Sequence, residues 1–401
     1  MSAPTIDRMS SQEKRAGISL AAVFALRMLG LFLILPVFAI YAQDLPSGHD
    51  VALVGMALGA YGLTQAFLQI AYGAASDRFG RKPVIVFGLI LFAVGSFVAA
   101  SAGDIYGVIA GRVLQGAGAI SAAVTALAAD LTREQHLTKV MAMIGSSIGM
   151  VFAISMVAAP LLFVSIGMPG IFILTGGLAL LAIFVVLKVV PVAPAVPRRP
   201  TWPSFVEVLA NRQLLRLNFG VFALHLMLTA MWVLLPAQLI STGDLPVAEH
   251  WKLYLPALLV SFVIMVPAII AAEKYGRMKL VFNAAVVLLL VVQLGFGLFS
   301  TSIYGLALWL TLFFVAFNIL EATQPSLISR IAPPHAKGAA LGVYNTTQAL
   351  GLFVGGVLGG ALAKHLGPGA VWACGALLTV VWLSLSTTMT MPALRHRQAT
   401  A

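Results

Sequence analysis

The sequence has little charge. Only 9% of its 401 residues are Asp, Glu, Lys or Arg, while 60% are apolar. A soluble domain carries about a quarter charged residues. Water is therefore excluded as the solvent for most of this surface. Cysteine is almost absent: Cys374 stands alone in an apolar stretch, which rules out an intrachain disulfide and any cysteine-rich metal centre. Acids number 13 against 24 bases, for a net charge of +11. That excess does not point to nucleic acid, because the bases are scattered between apolar runs instead of forming a patch. The sequence shows no Walker-type phosphate loop, metal-spaced cluster or nucleotide-binding unit, so neither enzyme activity nor a bound cofactor is expected. A removable leader is not expected either. Residues 1–16 are polar and carry Arg8, Lys14 and Arg15, but the apolar run after them has no small-residue cleavage site.

What the sequence has instead is long apolar runs. A bilayer core about 30 Å thick needs roughly 20 apolar residues per helix. Twelve such runs lie near 17–41, 51–76, 83–101, 105–129, 138–166, 168–190, 215–240, 252–272, 280–299, 303–328, 338–364 and 369–391. They are continuous rather than alternating, so they read as helices and not as barrel strands. The expected fold class is an all-α membrane protein with twelve transmembrane helices. The splits at 101–105 and 164–169 rest on short hairpins with few charges.

Placing the bases tests the count. Twenty of the 24 Lys and Arg fall on one side of the expected membrane, only Lys252 and Lys364 fall on the other, and Arg27 and Arg112 lie within spans. The opposite loops hold acids: Asp44, Asp50, Asp104, Asp244 and Glu249. Cytoplasmic loops collect Lys and Arg, so both termini are expected in the cytoplasm. The longest polar gap, 191–214, is basic and contains five prolines. It reads as a cytoplasmic linker between an N-terminal half, 17–190, and a C-terminal half, 215–391.

The halves repeat. SDRFGR at 76–81 aligns with AEKYGR at 272–277: Asp77 with Glu273, Arg78 with Lys274, Phe79 with Tyr275, and Gly80–Arg81 with Gly276–Arg277. Both stretches join the second and third spans of their half. Two parallel six-helix halves are a known transporter plan, with the substrate held near the midplane between them.

GAASDRFGRK at 73–82 resembles motif A of the major facilitator superfamily, and GRVLQGAGAISAAVTALAADL at 111–131 resembles its motif B, with the basic residue at Arg112. The first span, with Arg27, Gly30 and Pro36, and the segment ADLTREQ are similar to the drug/proton antiporter branch. GSSIGMVFAISMVAAP at 145–160 resembles motif C, but Ala159–Pro160 replaces the usual Gly–Pro. The resemblance implies a bacterial inner-membrane, multi-pass transporter with a small-molecule substrate, driven by the proton gradient and acting as a monomer. Some kin in that branch carry a soluble ferredoxin-like domain after the twelfth span. Only residues 392–401 follow the last run here, so that domain is not expected. Proton antiport with export of amphipathic compounds, symport or facilitated uptake of a small solute, and a non-transporting membrane sensor all stay open.

Two sets of residues are candidates for function. The first is a conformational latch made of Gly73, Asp77, Arg78, Gly80, Arg81, Lys82 and Asp130. Gly73 allows close helix approach, and Gly80 allows a tight turn. The resemblance implies an Asp77–Arg81–Asp130 arrangement that stabilises an outward-facing state. The bland alternative is a loop held inside by its charge. The second set lies within the spans, where charge is costly and usually functional. Glu321 is the only acid there. It lies nine residues from Arg330, about 13 Å inside the boundary at 1.5 Å per residue. Proton coupling, structural pairing and direct binding of a cation all fit it. Arg112, Arg27 and His225 are further proton-coupling candidates; His225 titrates near neutral pH in its ordinary state. The resemblance links the motif B arginine to proton transfer, and structural pairing is its alternative. Tyr61, Gln65 and Gln69 recur every fourth residue on one face. Asn318 and Gln324 flank Glu321, and Tyr344, Asn345 and Gln348 recur in the eleventh span. These eight are the candidate cavity lining, with interhelical hydrogen bonding as the alternative.

Overall fold

The computed structural model describes residues 9–193 and 202–390. The proline-rich centre of the expected linker, 194–201, lies outside them. Fourteen α-helices follow in order: α1 (Ser11–Phe32), α2 (Phe38–Tyr41), α3 (Val51–Phe79), α4 (Arg81–Ala100), α5 (Ile105–Ala117), α6 (Ser121–Asp130), α7 (Glu134–Lys188), α8 (Trp202–Ala210), α9 (Arg212–Ser241), α10 (Trp251–Glu273), α11 (Met278–Phe299), α12 (Ile303–Ile331), α13 (Lys337–Leu366) and α14 (Pro368–Thr387). No strand forms among the described residues.

Eleven stretches are long and apolar enough to cross a membrane. One of them, Gln135–Lys188, has 54 residues and covers both expected runs at 138–166 and 168–190. It changes direction at Gly167, where φ is +65°. Glycine enters that region without steric cost. The long helix is thus two spans joined without a polar loop, and twelve crossings result.

Two expected spans are broken. The first ends at Phe32, because Pro36 has no N–H to continue the helix, and the chain resumes as the single turn α2. The fourth breaks at Gly118, between α5 and α6. A Cβ at Gly118 would stand 2.4 Å from the Gly88 carbonyl oxygen of α4, so the break forms where two backbones meet.

The halves meet along α3 and α13 at the face that carries the acidic loops. A Cβ at Gly55 would lie 2.1 Å from Gly356 O, one at Gly356 2.3 Å from Gly55 O, one at Gly360 2.5 Å from Val51 O, and one at Gly62 2.4 Å from Ala349 O. Any larger residue would force the helices apart. The next faces of α13 use Gly351 and Gly355 in the same way against Phe222 and Leu226 of α9. The GLFVGGVLGG run therefore packs α13 on two helices at once. In lipid, such backbone approach replaces hydrophobic burial as the force between helices.

At the acidic face the seam is tied by charge. Lys364 donates to Asp50 Oδ2 at 2.7 Å, while Asp50 Oδ1 accepts from Ala52 N at 3.0 Å and caps α3. The Lys364 ammonium holds the Asp50 carboxyl below the ordinary carboxylate range. Glycines near the basic ends of these helices make no such backbone approach. A Cβ at Gly73 would meet only Ala122 of its own half, at 3.7 Å, and one at Gly338 would meet nothing within 4 Å.

Gly356→Ala should lower the thermal unfolding temperature in detergent, with a cost of about 1–3 kcal/mol for overpacking. Gly369→Ala, where a Cβ meets nothing within 4 Å, should leave it unchanged. Equal melting of the two variants would remove the seam from the account.

Candidate functional site

In the C-terminal half, α9, α12 and α13 bring three polar side chains together in mid-span. His225 Nε2 lies 3.7 Å from Glu321 Oε2. Gln348 Nε2 lies 2.7 Å from His225 Nε2 and 3.4 Å from Glu321 Oε1. His225 Nδ1 lies 3.0 Å from Val221 O. A carbonyl only accepts, so Nδ1 carries a proton and, in the neutral ring, Nε2 accepts from the Gln348 amide. The Glu321 side chain is 37% exposed, whereas His225 is 6% exposed. Glu321 Oε2 has no hydrogen-bond partner among the described residues. The cluster can hold one proton on either the carboxylate or the imidazole, with Gln348 bridging both.

Aromatic rings close the space on the acidic side of this cluster. Phe317, one turn from Glu321 toward the acidic face, sits 5.7 Å from the His225 ring. Phe152 of α7 packs on Phe314 at 5.8 Å and Phe317 at 6.4 Å, so the plug joins the two halves. Phe32, at the end of α1, packs on Phe152 at 5.1 Å.

The N-terminal half holds cations instead. Arg27 and Arg112 are both buried. Arg27 donates to the Tyr61 hydroxyl, to Ser121 Oγ at 3.1 Å and to Gln65 Oε1 at 3.4 Å. Arg112 donates to the carbonyls of Ala57 and Leu58 and to Gln115 Oε1 at 2.8 Å. Gln115 donates onward to Ser96 Oγ at 2.8 Å. Both guanidiniums lie over the Tyr61 ring, at 5.7 and 5.1 Å from its centroid. Neither is paired with a carboxylate among the described residues. Neutral acceptors and one π-face balance the two charges.

The other polar candidates are placed as follows. Asn318 donates to Ser261 Oγ of α10 at 2.8 Å. Gln69 and Gln324 are fully buried, and their amide atoms have no partner among the described residues. The Tyr344 hydroxyl is also buried and unpartnered there. Asn345 and Gln348 are half-buried.

Arg81 is the centre of the basic-face loop. It pairs with Asp77 at 2.7 Å and Asp130 at 2.9 Å, and donates to Ser76 Oγ at 2.7 Å. Gly80 has φ +94°, a conformation that disfavours any side chain. Arg78 lies over the Phe79 ring at 5.3 Å, and Lys82 donates to Val190 O at 2.6 Å. The second half repeats the plan. Glu273 pairs with Arg330, Gly276 has φ +71°, and Lys274 lies over Tyr275 at 5.9 Å.

Residues 20–355 match the Major Facilitator Superfamily. The chain belongs to that family. This facilitator is 46% identical over 390 residues to the inner membrane transport protein YajR of Escherichia coli K12, a match covering 96% of this chain and 85% of that protein. The multidrug resistance protein MdtH of Aeromonas salmonicida is 26% identical over 372 residues, covering 90% and 89%. Among solved structures, the nucleoside transporter NupG superposes with a TM-score of 0.72 at 14% identity, covering 94% of this chain and 99% of that one. The human organic anion transporter MFSD10 gives 0.69 at 17% identity, covering 94% and 100%. These two likenesses show the shared fold.

Sequence reasoning missed several partners of these groups. Ser76, Ser96, Gln115, Ser121 and Ser261 are ordinary polar residues whose importance comes from neighbours distant in the chain. Glu13 receives Arg133 in a two-armed pair with contacts of 2.9 Å, and nothing in the sequence marked it as that partner.

Tyr61→Phe removes the hydroxyl that accepts from Arg27 but keeps the ring under both cations. Tyr61→Leu removes both. The Leu variant should therefore unfold at lower temperature than the Phe variant, by about 1 kcal/mol, the scale of a desolvated cation–π contact.

Proposed function

We propose that this facilitator is a proton-coupled antiporter that exports small amphipathic compounds by alternating access. The observation that carries the reading is the Glu321–His225–Gln348 cluster, with an under-satisfied carboxyl in mid-span. A carboxyl placed so can take a proton from one side and release it to the other when the halves rock. The MdtH relative is named for multidrug resistance, which favours export of amphipathic compounds. On this reading the basic face is cytoplasmic, both termini lie there, and the protein works as a monomer in the bacterial inner membrane. Protons, the small-molecule substrate and the lipid bilayer are its partners; its energy comes from the proton gradient and no cofactor takes part.

The aromatic plug of Phe152, Phe314 and Phe317 acts as the gate on the acidic side. Asp77, Arg81 and Asp130 form the N-terminal side of the opposing gate, with Gly73, Arg78, Gly80 and Lys82 shaping its loop. Arg112 and Arg27 hold the wall that faces the proton site. Gln65, Gln69, Tyr61, Asn318, Gln324, Tyr344 and Asn345 supply polar contacts that regroup as the cavity turns.

Reconstitution in liposomes with an imposed pH gradient tests the reading. Substrate and proton should move in opposite directions; movement in the same direction would establish symport instead. Glu321→Gln should abolish gradient-driven accumulation while leaving substrate exchange across the membrane. Full proton-driven transport by that variant would exclude Glu321 as the coupling site. For the gate, Asp77→Asn should abolish net transport at unchanged expression; wild-type rates would sink the latch.

A further inference from the structure

Outside the transport path, two cations from other helices reach the C-terminal end of α7, whose last turn carries a third. Arg15 of α1 donates through Nε to Val189 O at 2.8 Å and through Nη2 to Lys188 O at 3.4 Å. Lys82 of α4 donates to Val190 O at 2.6 Å. Lys188 belongs to the same last turn of α7 and is exposed. Among the described residues none of the three is paired with a carboxylate. Capping a helix C-terminus explains part of this, since the last carbonyls accept donors and carry about half a negative charge. Three full charges exceed it.

Below the cations an open groove runs into the membrane zone. It has a volume of about 490 Å³ and is lined by Arg15, Ile18, Ser19, Ala22, Val185 and Val189. The one hydroxyl is turned away: Ser19 Oγ donates to its own helix, to Arg15 O at 2.7 Å and Ala16 O at 3.2 Å. The wall is therefore apolar, with Arg15 at its mouth. Ile18 is 62% exposed, as lipid-facing side chains are.

We propose that this groove binds a phospholipid with an anionic headgroup. The phosphodiester sits against Arg15, Lys82 and Lys188, and an acyl chain lies along Ile18, Ala22, Val185 and Val189. Charge complementarity selects this occupant. Basic pockets between transmembrane helices at the basic face hold anionic headgroups, and a zwitterionic lipid offers no net charge to three cations. A free phosphate would leave the apolar floor uncovered. The lipid would tie α1 and α4 to the end of α7, within the N-terminal half.

Native mass spectrometry of the detergent-solubilised full chain tests this with equal amounts of phosphatidylglycerol and phosphatidylcholine of matched chains. Phosphatidylglycerol adducts should dominate, and inorganic phosphate should not displace them. Arg15→Gln with Lys188→Gln should lower the preference roughly fivefold per cation removed. Ala22→Trp, which keeps the cations and fills the groove, should lower phosphatidylglycerol retention as well. Equal retention of the two lipids, displacement by phosphate, or retention unchanged in Ala22→Trp would each overturn the proposal.

Discussion

The backbone contact between α3 and α13 is the constraint on which the rest depends. A bilayer interior gives helices no hydrophobic reason to associate, because lipid tails are as apolar as leucine. What remains is dispersion, and dispersion needs atoms within about 4 Å. Glycines at 55, 59 and 62 on one helix and 356 and 360 on the other bring main chain against main chain. That approach fixes where the halves touch. A seam of small residues also has no interlocking side chains to unpick.

The charges divide between the halves according to what each must tolerate. Two arginines in the first half are buried, and the structure surrounds them with carbonyls, amides, a serine and one tyrosine ring. Arg27 Nε is left without a hydrogen-bond partner among the described residues. The second half holds one carboxyl and one imidazole, and one carboxyl oxygen there is unpartnered too. The aromatic plug of Phe152, Phe314 and Phe317 separates that pair from the acidic face.

The duplicated loop shows the same economy at lower resolution. In each half an acid at the end of the second span meets an arginine, a glycine with positive φ turns the chain, and a cation lies on the ring beside it. The partners are not copied residue for residue. Arg81 finds Asp77 and Asp130, whereas Glu273 finds Arg330, so the geometry persisted while the pairing drifted.

The number of crossings and the basic and acidic faces were legible in the sequence, because they depend on local composition: twenty apolar residues must cross, and bases must gather on one side. The loop repeat was legible for the same reason, being a short linear pattern. Glu321 stood out because an acid in an apolar run is rare. Its neighbours stood out only singly, in separate candidate sets. His225 and Gln348 are 96 and 27 positions away from it along the chain, and nothing linear marks them as one cluster. The break at Gly118 depends on which backbone lies across the gap. Side chains drawn as cavity lining from helical spacing, such as Gln69 and Gln324, proved buried, since spacing defines a face but not what stands opposite it. The sequence by itself determined the solvent, the number of crossings and the sign of each face, all properties of single segments. Only the tertiary structure decided which polar groups meet, because these are distances between segments, set by how closely glycine lets two backbones approach.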